Sequence, residues 1–292
     1  MKGKTRGTLL VLACVALWAL IPVVARFGQV SLDNHQFLFW SSLVSFLVLA
    51  LNAALSGKVR EVIDYSRGDW VGITLLGLLG TYLYYLFLYL GYVRASGLEV
   101  LVVQYSWPIL IVVLSIFILR EKLTGRKTIA LALGFLGVVT VLTRGDLSRI
   151  DVSNPPVIAL VGAGAFCFAL FSVLSKRVDK SPSVVVSLYF LVALVASGCS
   201  MLIFSGFALP GRQELWPILL NGVLVNGYSY VFWLRALQST EASYLAPFTF
   251  LTPILSALYL VVLFEEPLVP AHAIGLLLIV GGGLINSYRA RG

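Results

Sequence analysis

Long apolar runs with very few charges dominate this sequence and determine the environment in which it can fold. Ten runs of roughly 17–25 residues, the length of a membrane-spanning helix, alternate with short polar loops. Only 12% of the residues are charged, whereas an average soluble domain has about 25%. A backbone in lipid must satisfy its own hydrogen bonds, so these runs are expected to be α-helices. The sequence therefore predicts an all-α membrane protein with ten transmembrane helices, at Thr8–Ala25, Gln36–Ser56, Trp70–Val93, Gly97–Leu119, Thr128–Thr143, Pro156–Ser175, Ser183–Leu209, Leu215–Leu234, Ala242–Phe264 and Val269–Tyr288.

Two segments half a chain apart have nearly the same sequence. A shift of 145 positions places Pro108–Leu110 on Pro253–Leu255 and Glu121 on Glu266. A period close to half the length of a chain indicates a duplication. Interrupted apolar segments at matching positions of two halves are also the best sequence indicator of a transporter's binding site.

The loop 144–154 divides the ten helices into five and five, which predicts repeats at 1–147 and 148–292. Because five is odd, the second repeat enters the membrane from the opposite side, and the fold becomes two inverted repeats around a central cavity. Of the 21 Lys and Arg residues, 16 fall on the side that holds the N-terminus. Basic loops are retained inside the cell, so both termini are predicted to be cytoplasmic in a bacterial inner membrane. The net charge of +8 therefore reflects topology, and no nucleic-acid partner is expected.

Motifs for catalysis and for metal binding are missing from the sequence. It contains no Gly-rich phosphate loop after a strand, no nucleophile elbow and no HExxH. Its two histidines, His35 and His272, share no motif, and Cys14, Cys167 and Cys199 all lie inside apolar runs. The sequence therefore predicts no enzyme, no cofactor, no metal and no disulfide framework.

Tyrosines of the third predicted helix form one polar and aromatic face. Tyr82, Tyr85, Tyr89 and Tyr92 recur at helical spacing. They either belong to the aromatic belt at the membrane interface or face a cavity, and the mid-span position of Tyr82 favours a cavity. A shift of 144 pairs Tyr82 with Asn226, which is either a second cavity residue or a polar contact between helices.

Large aromatic residues at mid-span indicate where a flat apolar solute could bind. Trp18 and its repeat counterpart Phe168 lie in the first and sixth predicted helices, either as packing residues or as walls of a cavity. Tyr105 and Trp107 flank the helix interruption in the first repeat, and Phe250 and Thr252 flank it at the matching positions of the second.

Three further residues of the repeated segments have two interpretations each. Pro108 and Pro253 are either hinges or kinks that neighbouring helices tolerate. Glu99 lies about a turn into the fourth predicted helix. One interpretation is functional, in which it binds a substrate ammonium or carries a coupling proton. The other is structural, in which it caps the helix N-terminus in a hydrated position.

One pattern occurs twice, in 95–138 and in 242–283: an Ala-Ser pair, an aromatic region with Pro-Ile-Leu, an acidic residue two positions before Leu, and a Gly-rich last helix. This pattern resembles the EamA-type members of the drug/metabolite transporter superfamily, over essentially the whole chain. Within that superfamily, Leu98–Val100, Gln104–Pro108 and Trp18 are similar to YddG-type aromatic amino-acid exporters. Their motif has Asn at the first position of the second run, where this chain has Gln. The resemblance implies a ten-helix exporter.

These observations together predict an exporter of amino acids, aromatic or apolar ones favoured, that works by alternating access in the lipid bilayer. The alternative is a broad-specificity drug or metabolite exporter of the same fold, and the oligomeric state stays open. The predicted substrate-binding residues are Trp18, Tyr82, Tyr85, Glu99, Gln104, Tyr105, Trp107, Phe168, Asn226, Tyr244, Phe248 and Phe250, with Pro108 and Pro253 as hinges.

Overall fold

A computed structural model describes residues 2–95, 97–149, 154–264 and 269–287, and every regular element in those ranges is helical. The α-helices are α1 (Lys2–Trp18), α2 (Ile21–Gly28), α3 (Asn34–Leu55), α4 (Arg67–Gly77), α5 (Tyr84–Arg94), α6 (Gly97–Gln104), α7 (Trp107–Leu119), α8 (Gly125–Thr143), α9 (Pro155–Ser175), α10 (Pro182–Phe204), α11 (Leu215–Leu220), α12 (Ser229–Ser239), α13 (Ala242–Leu245), α14 (Leu251–Phe264) and α15 (Pro270–Ser287). π-Helical segments at Leu78–Leu83 and Asn221–Tyr228 join α4 to α5 and α11 to α12, and 3-10 turns span Lys58–Asp64, Leu147–Arg149 and Ala246–Phe250. Glu266 and Tyr288, which the sequence patterns single out, lie outside the described residues.

Nine helical stretches of the described chain are long and apolar enough to cross a membrane. They are Gly3–Gly28, Asn34–Leu55, Arg67–Arg94, Glu99–Leu119, Gly125–Thr143, Pro155–Ser175, Pro182–Phe204, Ala242–Tyr259 and Pro270–Ser287. The prediction of a multi-pass, all-helical membrane protein is confirmed. The remaining predicted span, Leu215–Leu234, lies within the continuous helical segment from α11 to α12. Its apolar character is reduced by Asn221 and Asn226, both fully buried.

Two helical segments pass through a π-helix near their middle, at Leu78–Leu83 and at Asn221–Tyr228. A π-helix closes its hydrogen bonds over five residues instead of four, so it rotates the residues that follow relative to those before it. Side-chain directions beyond such a segment therefore depart from the spacing expected of an uninterrupted α-helix.

Glycines allow two pairs of helices to approach closely. A Cβ atom at Gly77 would lie 3.1 Å from the carbonyl oxygen of Tyr189, and one at Gly222 would lie 3.0 Å from the carbonyl oxygen of Ser41. Gly77 ends α4 against α10, and Gly222 lies in the second π-helix against α3. Small residues of this kind let membrane helices pack backbone to backbone.

The helices α3 and α10 pack side by side, and a Ser–Glu contact between flanking loops lies near each end of the pair. Before α3, the Ser31 amide and hydroxyl donate to a Glu214 carboxylate oxygen at 3.1 and 2.6 Å. Before α10, the Ser181 amide donates to a Glu61 carboxylate oxygen at 3.1 Å. We call these contacts the Ser31–Glu214 and Ser181–Glu61 clasps. The second clasp lies on the face of the bundle where α1 begins, which we call the N-terminal face, and the first lies on the opposite face.

Candidate functional site

Trp18 lies at the centre of a cluster of buried aromatic rings. Its ring centroid is 6.0 Å from that of Trp107, 5.7 Å from that of Phe168 and 5.5 Å from that of Trp233. Phe168 in turn contacts Tyr84, with ring centroids 4.6 Å apart. Edge-to-face and tilted pairs at these distances are the favoured geometries of aromatic rings. The cluster therefore joins α1, α5, α7, α9 and α12 in the middle of the bundle.

Proline positions explain why two of the central residues lie at helix ends. Proline has no N–H group and clashes with the carbonyl four residues earlier. Pro22 stands four residues after Trp18, the last residue of α1, and Pro108 stands four residues after Gln104, the last residue of α6. Each proline lies in the first turn of the next helix, where its missing donor is tolerated. Local sequence thus creates both interruptions beside the cluster.

A small cavity lies within the aromatic cluster. Its space open to water is about 20 Å³, which is room for a water molecule and too little for an amino acid. The side chains around it include no Lys, Arg, Asp or Glu. The cavity is lined by Trp18, Ile21, Tyr84, Tyr85, Gln104, Tyr105, Trp107, Phe168, Tyr230 and Thr252.

A larger cavity of about 320 Å³ lies beside the first and toward the opposite face. We call it the vestibule, and its volume is in the range of small-molecule sites. Tyr105 lines both the vestibule and the central cavity, so its ring stands between them. The vestibule is lined by Pro22, Ala25, Arg26, Gln29, Tyr92, Leu101, Tyr105, Pro253, Ser256 and Ala257.

Three polar groups of the central cavity differ in how they are bonded. The Gln104 amide nitrogen donates to the Tyr84 hydroxyl at 2.7 Å. The indole nitrogen of Trp18 and the hydroxyl of Thr252 are buried and have no hydrogen-bond partner within the described chain. Buried polar groups in native proteins are bonded in the great majority of cases, so unused groups at a cavity call for a ligand or water. This cavity therefore offers one N–H donor and one hydroxyl to a polar solute.

Six of the predicted binding residues line the central cavity. They come from α1, α5, α6, the turn after α6, the start of α7, and α9. The fold therefore brings together residues from both halves of the chain. They are Trp18, Tyr85, Gln104, Tyr105, Trp107 and Phe168.

Tyr82 and Asn226 do not line the central cavity, contrary to the spacing argument. Tyr82 is half-buried within the first π-helix, and Tyr84 takes the cavity position instead. The π-helix rotates the tyrosine face, which explains the difference. Asn226 is fully buried in the second π-helix, away from the cavity lining, and its amide has no partner within the described chain.

Four further predicted residues also lie away from the cavity. Glu99 is buried in the first turn of α6. The ring of Phe250 packs on Gly134 of α8. Tyr244 and Phe248 contact each other with centroids 5.5 Å apart, near the N-terminal face. The 3-10 turn between α13 and α14 changes the helical register there, and its residues pack against α1, α7, α8 and α15 without lining the cavity.

The repeat period accounts for two cavity residues outside the predicted binding set, Tyr230 and Thr252, and Thr252 is one of the residues that flank the second helix interruption. A shift of 145 places Tyr85 on Tyr230 and Trp107 on Thr252, and all four line the cavity. Tyr84 gave no comparable signal, because its position depends on the π-helix before it. Within the described ranges, no group of three or more His, Cys, Asp or Glu side chains is placed to hold a metal ion.

An all-helical, multi-pass membrane protein with an aromatic cavity at its centre is typical of a small-molecule transporter. The sequence model of the EamA-like transporter family matches the chain twice, at residues 5–143 and 155–288. The chain belongs to the EamA-like transporter family, within the drug/metabolite transporter superfamily, and it is a transporter rather than an enzyme.

Two relatives with named transport functions are similar to this chain, one over most of its length and one over about half. The aromatic amino acid exporter YddG of Ancylobacter novellus is 27% identical over 84% of this chain and 88% of its own. An S-adenosylmethionine uptake transporter of Rickettsia felis is 27% identical over 56% of this chain and 54% of its own. A solved crystal structure superimposes with a TM-score of 0.85, over 96% of this chain and 97% of that chain, at 23% identity. That likeness concerns the fold.

Proposed function

We propose that this protein exports amino acids with aromatic or apolar side chains across the bacterial inner membrane by alternating access. The observation that carries the proposal is the central cavity, whose lining is aromatic, uncharged and equipped with two unused polar groups. A sugar phosphate or nucleotide would need a cation for its phosphate, and the lining has none. The similarity to an aromatic amino acid exporter supports the same substrate class.

The polar groups of the cavity suit the two ends of a zwitterion. The Trp18 indole N–H and the Thr252 hydroxyl would donate to the carboxylate, because neither has a partner among the described residues. The ammonium would lie against the aromatic faces and the Gln104 carbonyl oxygen. Within the described part of the chain, that oxygen accepts one long hydrogen bond, 3.5 Å from the Tyr92 hydroxyl. The flat side chain of the substrate would then lie between Trp107 and Phe168.

The proposed architecture is ten transmembrane helices in two inverted repeats, 1–147 and 148–292. The double match of one family model supports it. So do the paired π-helices at Leu78–Leu83 and Asn221–Tyr228. The two Ser–Glu clasps add support, since they are alike and lie on opposite faces.

We further propose that the N-terminal face is cytoplasmic and that the vestibule is the route to the cell exterior. The excess of Lys and Arg on the N-terminal face supports this orientation. The central cavity is too small for a substrate in this conformation, so transport requires it to widen. Pro108 and Pro253, beside the helix interruptions, would be the flexing points, and the Tyr105 ring would move to join cavity and vestibule.

Efflux from proteoliposomes loaded with labelled Phe, Trp, Leu, Lys and Glu tests the proposal. We expect efflux of the aromatic and large apolar amino acids and none of the charged ones. Thr252→Val and Trp18→Phe should reduce efflux through a raised KM. Absence of efflux for every amino acid from vesicles that contain folded protein would refute the proposed function.

A second candidate is a broad-specificity metabolite exporter with the same cavity. The similarity to S-adenosylmethionine uptake transporters favours it, because that solute is much larger than a single amino acid. A panel of labelled solutes in the same vesicles, including S-adenosylmethionine and lipophilic cations, separates the two. The amino-acid proposal expects only the amino acids to compete with Phe efflux.

A further inference from the structure

Four charged side chains from both halves of the chain meet at the N-terminal face. The Lys127 ammonium lies 2.7 Å from a Glu241 carboxylate oxygen, and the Lys176 ammonium lies 3.7 Å from a Glu121 carboxylate oxygen. Lys127 also donates to the Ser243 hydroxyl at 2.7 Å. The side chains of Glu121 and Lys127 are 7% and 8% exposed, whereas those of their partners Lys176 and Glu241 are 23% and 48% exposed. A surface ion pair contributes little, but removing the partner of a buried, hydrogen-bonded charge is costly.

Glu121 is the most connected member of this group. Its carboxylate accepts the backbone amides of Ala242 and Ser243, each at 2.9 Å, and the Ser243 hydroxyl at 2.5 Å. These two amides open α13, and a carboxylate is favoured at a helix N-terminus. The ammonium of Lys176 completes the set. Charge-assisted hydrogen bonds of this kind are about twice as strong as neutral ones.

This contact joins two walls of the central cavity at one face. Glu121 follows α7, which begins at Trp107, and α13 leads through its 3-10 turn to Thr252. Both Trp107 and Thr252 line the cavity. A path that runs from the cavity to the N-terminal face between these two walls parts the end of α7 from the start of α13, and it breaks the hydrogen bonds of Glu121.

The two Ser–Glu clasps differ from this contact in where they act. One joins the loop before α3 to the start of α11, and the other joins the 3-10 turn after α3 to the loop before α10. No residue of α3, α10 or α11 lines the central cavity. Motion that opens the cavity does not require these helices to separate. Neither clasp includes a residue of α7 or α13, so the clasps serve as a control of the same chemistry outside the path to the N-terminal face.

We propose that Glu121 is a positioning residue of the transport site, which holds the segment Ala242–Phe250 against α7 and releases it once in every transport cycle. Lys127 and Lys176 stabilise the closed form by neutralising Glu121 and Glu241. The inference rests on the proposed function, since a release step exists only in a protein that transports. The Ser–Glu clasps stay closed throughout the cycle.

A reversible cross-link tests the release step while leaving Glu121 in place. Lys127→Cys and Glu241→Cys are introduced together, with the exposed Cys199 replaced by serine, and joined by a short bifunctional thiosulfonate. We expect the cross-link to reduce efflux at least tenfold, and a reducing agent to restore it. The matched control joins Ser31→Cys to Glu214→Cys and should retain at least half of its uncross-linked rate. Equal efflux before and after cross-linking of the 127–241 pair would overturn the inference.

Glu121→Gln tests the positioning role by a second readout, with Glu61→Gln as its control. Loss of the charge should weaken the closed form and lower the fraction of protein that is open to substrate from the opposite face. Apparent affinity falls in proportion to that fraction. We expect the apparent Kd for Phe to rise at least threefold in Glu121→Gln and to stay unchanged in Glu61→Gln. An unchanged Kd in folded Glu121→Gln would refute the role, whereas absence of efflux from the wild type would refute the proposed function instead.

Discussion

Replacing Thr252 with valine should have opposite effects on the stability of the empty protein and on its affinity for substrate. The Thr252 hydroxyl is buried at the central cavity and has no partner in the ranges that the structure describes. An unsatisfied buried hydroxyl costs about 1–3 kcal/mol. Valine has nearly the same shape and removes that cost. The empty protein should therefore melt at a higher temperature, by about 2–4 °C for each kcal/mol. A hydrogen bond to a charged group contributes about 1.5–3 kcal/mol, so the loss of the bond to the carboxylate should raise KM by roughly 10- to 100-fold.

The assay combines thermal unfolding in detergent with efflux from proteoliposomes. Thr249→Val is the matched control, because the Thr249 hydroxyl is equally buried but donates to the Ala246 carbonyl at 2.6 Å. The control should lose stability by about 1 kcal/mol and keep its KM. If Thr252→Val melts at the temperature of the wild type and transports with the same KM, the unused hydroxyl does not bind substrate, and the argument for the polar end of the site fails.

Three further predictions concern the indole donor, helix packing and pH. Trp18→Phe removes the other donor that has no partner among the described residues, and it should raise KM about tenfold. The control is Trp40→Phe, which should leave KM unchanged because the Trp40 indole donates to a loop carbonyl. Equal effects of the two substitutions would contradict the role of the Trp18 indole in substrate binding. Gly275→Ala places a Cβ 2.7 Å from a carbonyl oxygen of the facing helix and should destabilise the folded protein by about 1–3 kcal/mol. A Cβ at Gly281 would have no described atom within 4 Å, so Gly281→Ala should leave the melting temperature unchanged. Hydrogen bonds from Ser31 hold the pKa of the Glu214 carboxyl below its ordinary value of 4.5. The stability that these bonds contribute is therefore fully present above pH 4.5 and is lost as the pH falls below it. Melting temperatures from pH 7 to 3.5 should show this loss, and Glu214→Gln should flatten it; identical profiles would contradict the prediction.

Much of the central site could be predicted because duplication fixes equivalent positions in the two halves. Trp18 and Phe168 are repeat counterparts, and their rings meet at 5.7 Å in the structure. Prolines mark the interruptions that place Gln104 and Trp107 at the cavity. These features depend on composition and on local backbone chemistry, which sequence records directly. Tyr82 does not line the cavity, because it lies in a π-helix, where side-chain directions depart from the spacing of an α-helix.

Sequence by itself determined the environment, the helical class and the transporter family, because apolar length, proline position and repeat period are properties of the chain. Tertiary structure alone decided which polar groups stay unbonded at the centre and which charges meet at the N-terminal face. Lys176 and Glu121 are far apart in the chain, and their distance of 3.7 Å depends on how helices of both halves pack. The physical reason is that hydropathy sets where a helix lies, whereas the contacts of a single side chain depend on rotation and register, which neighbouring helices decide.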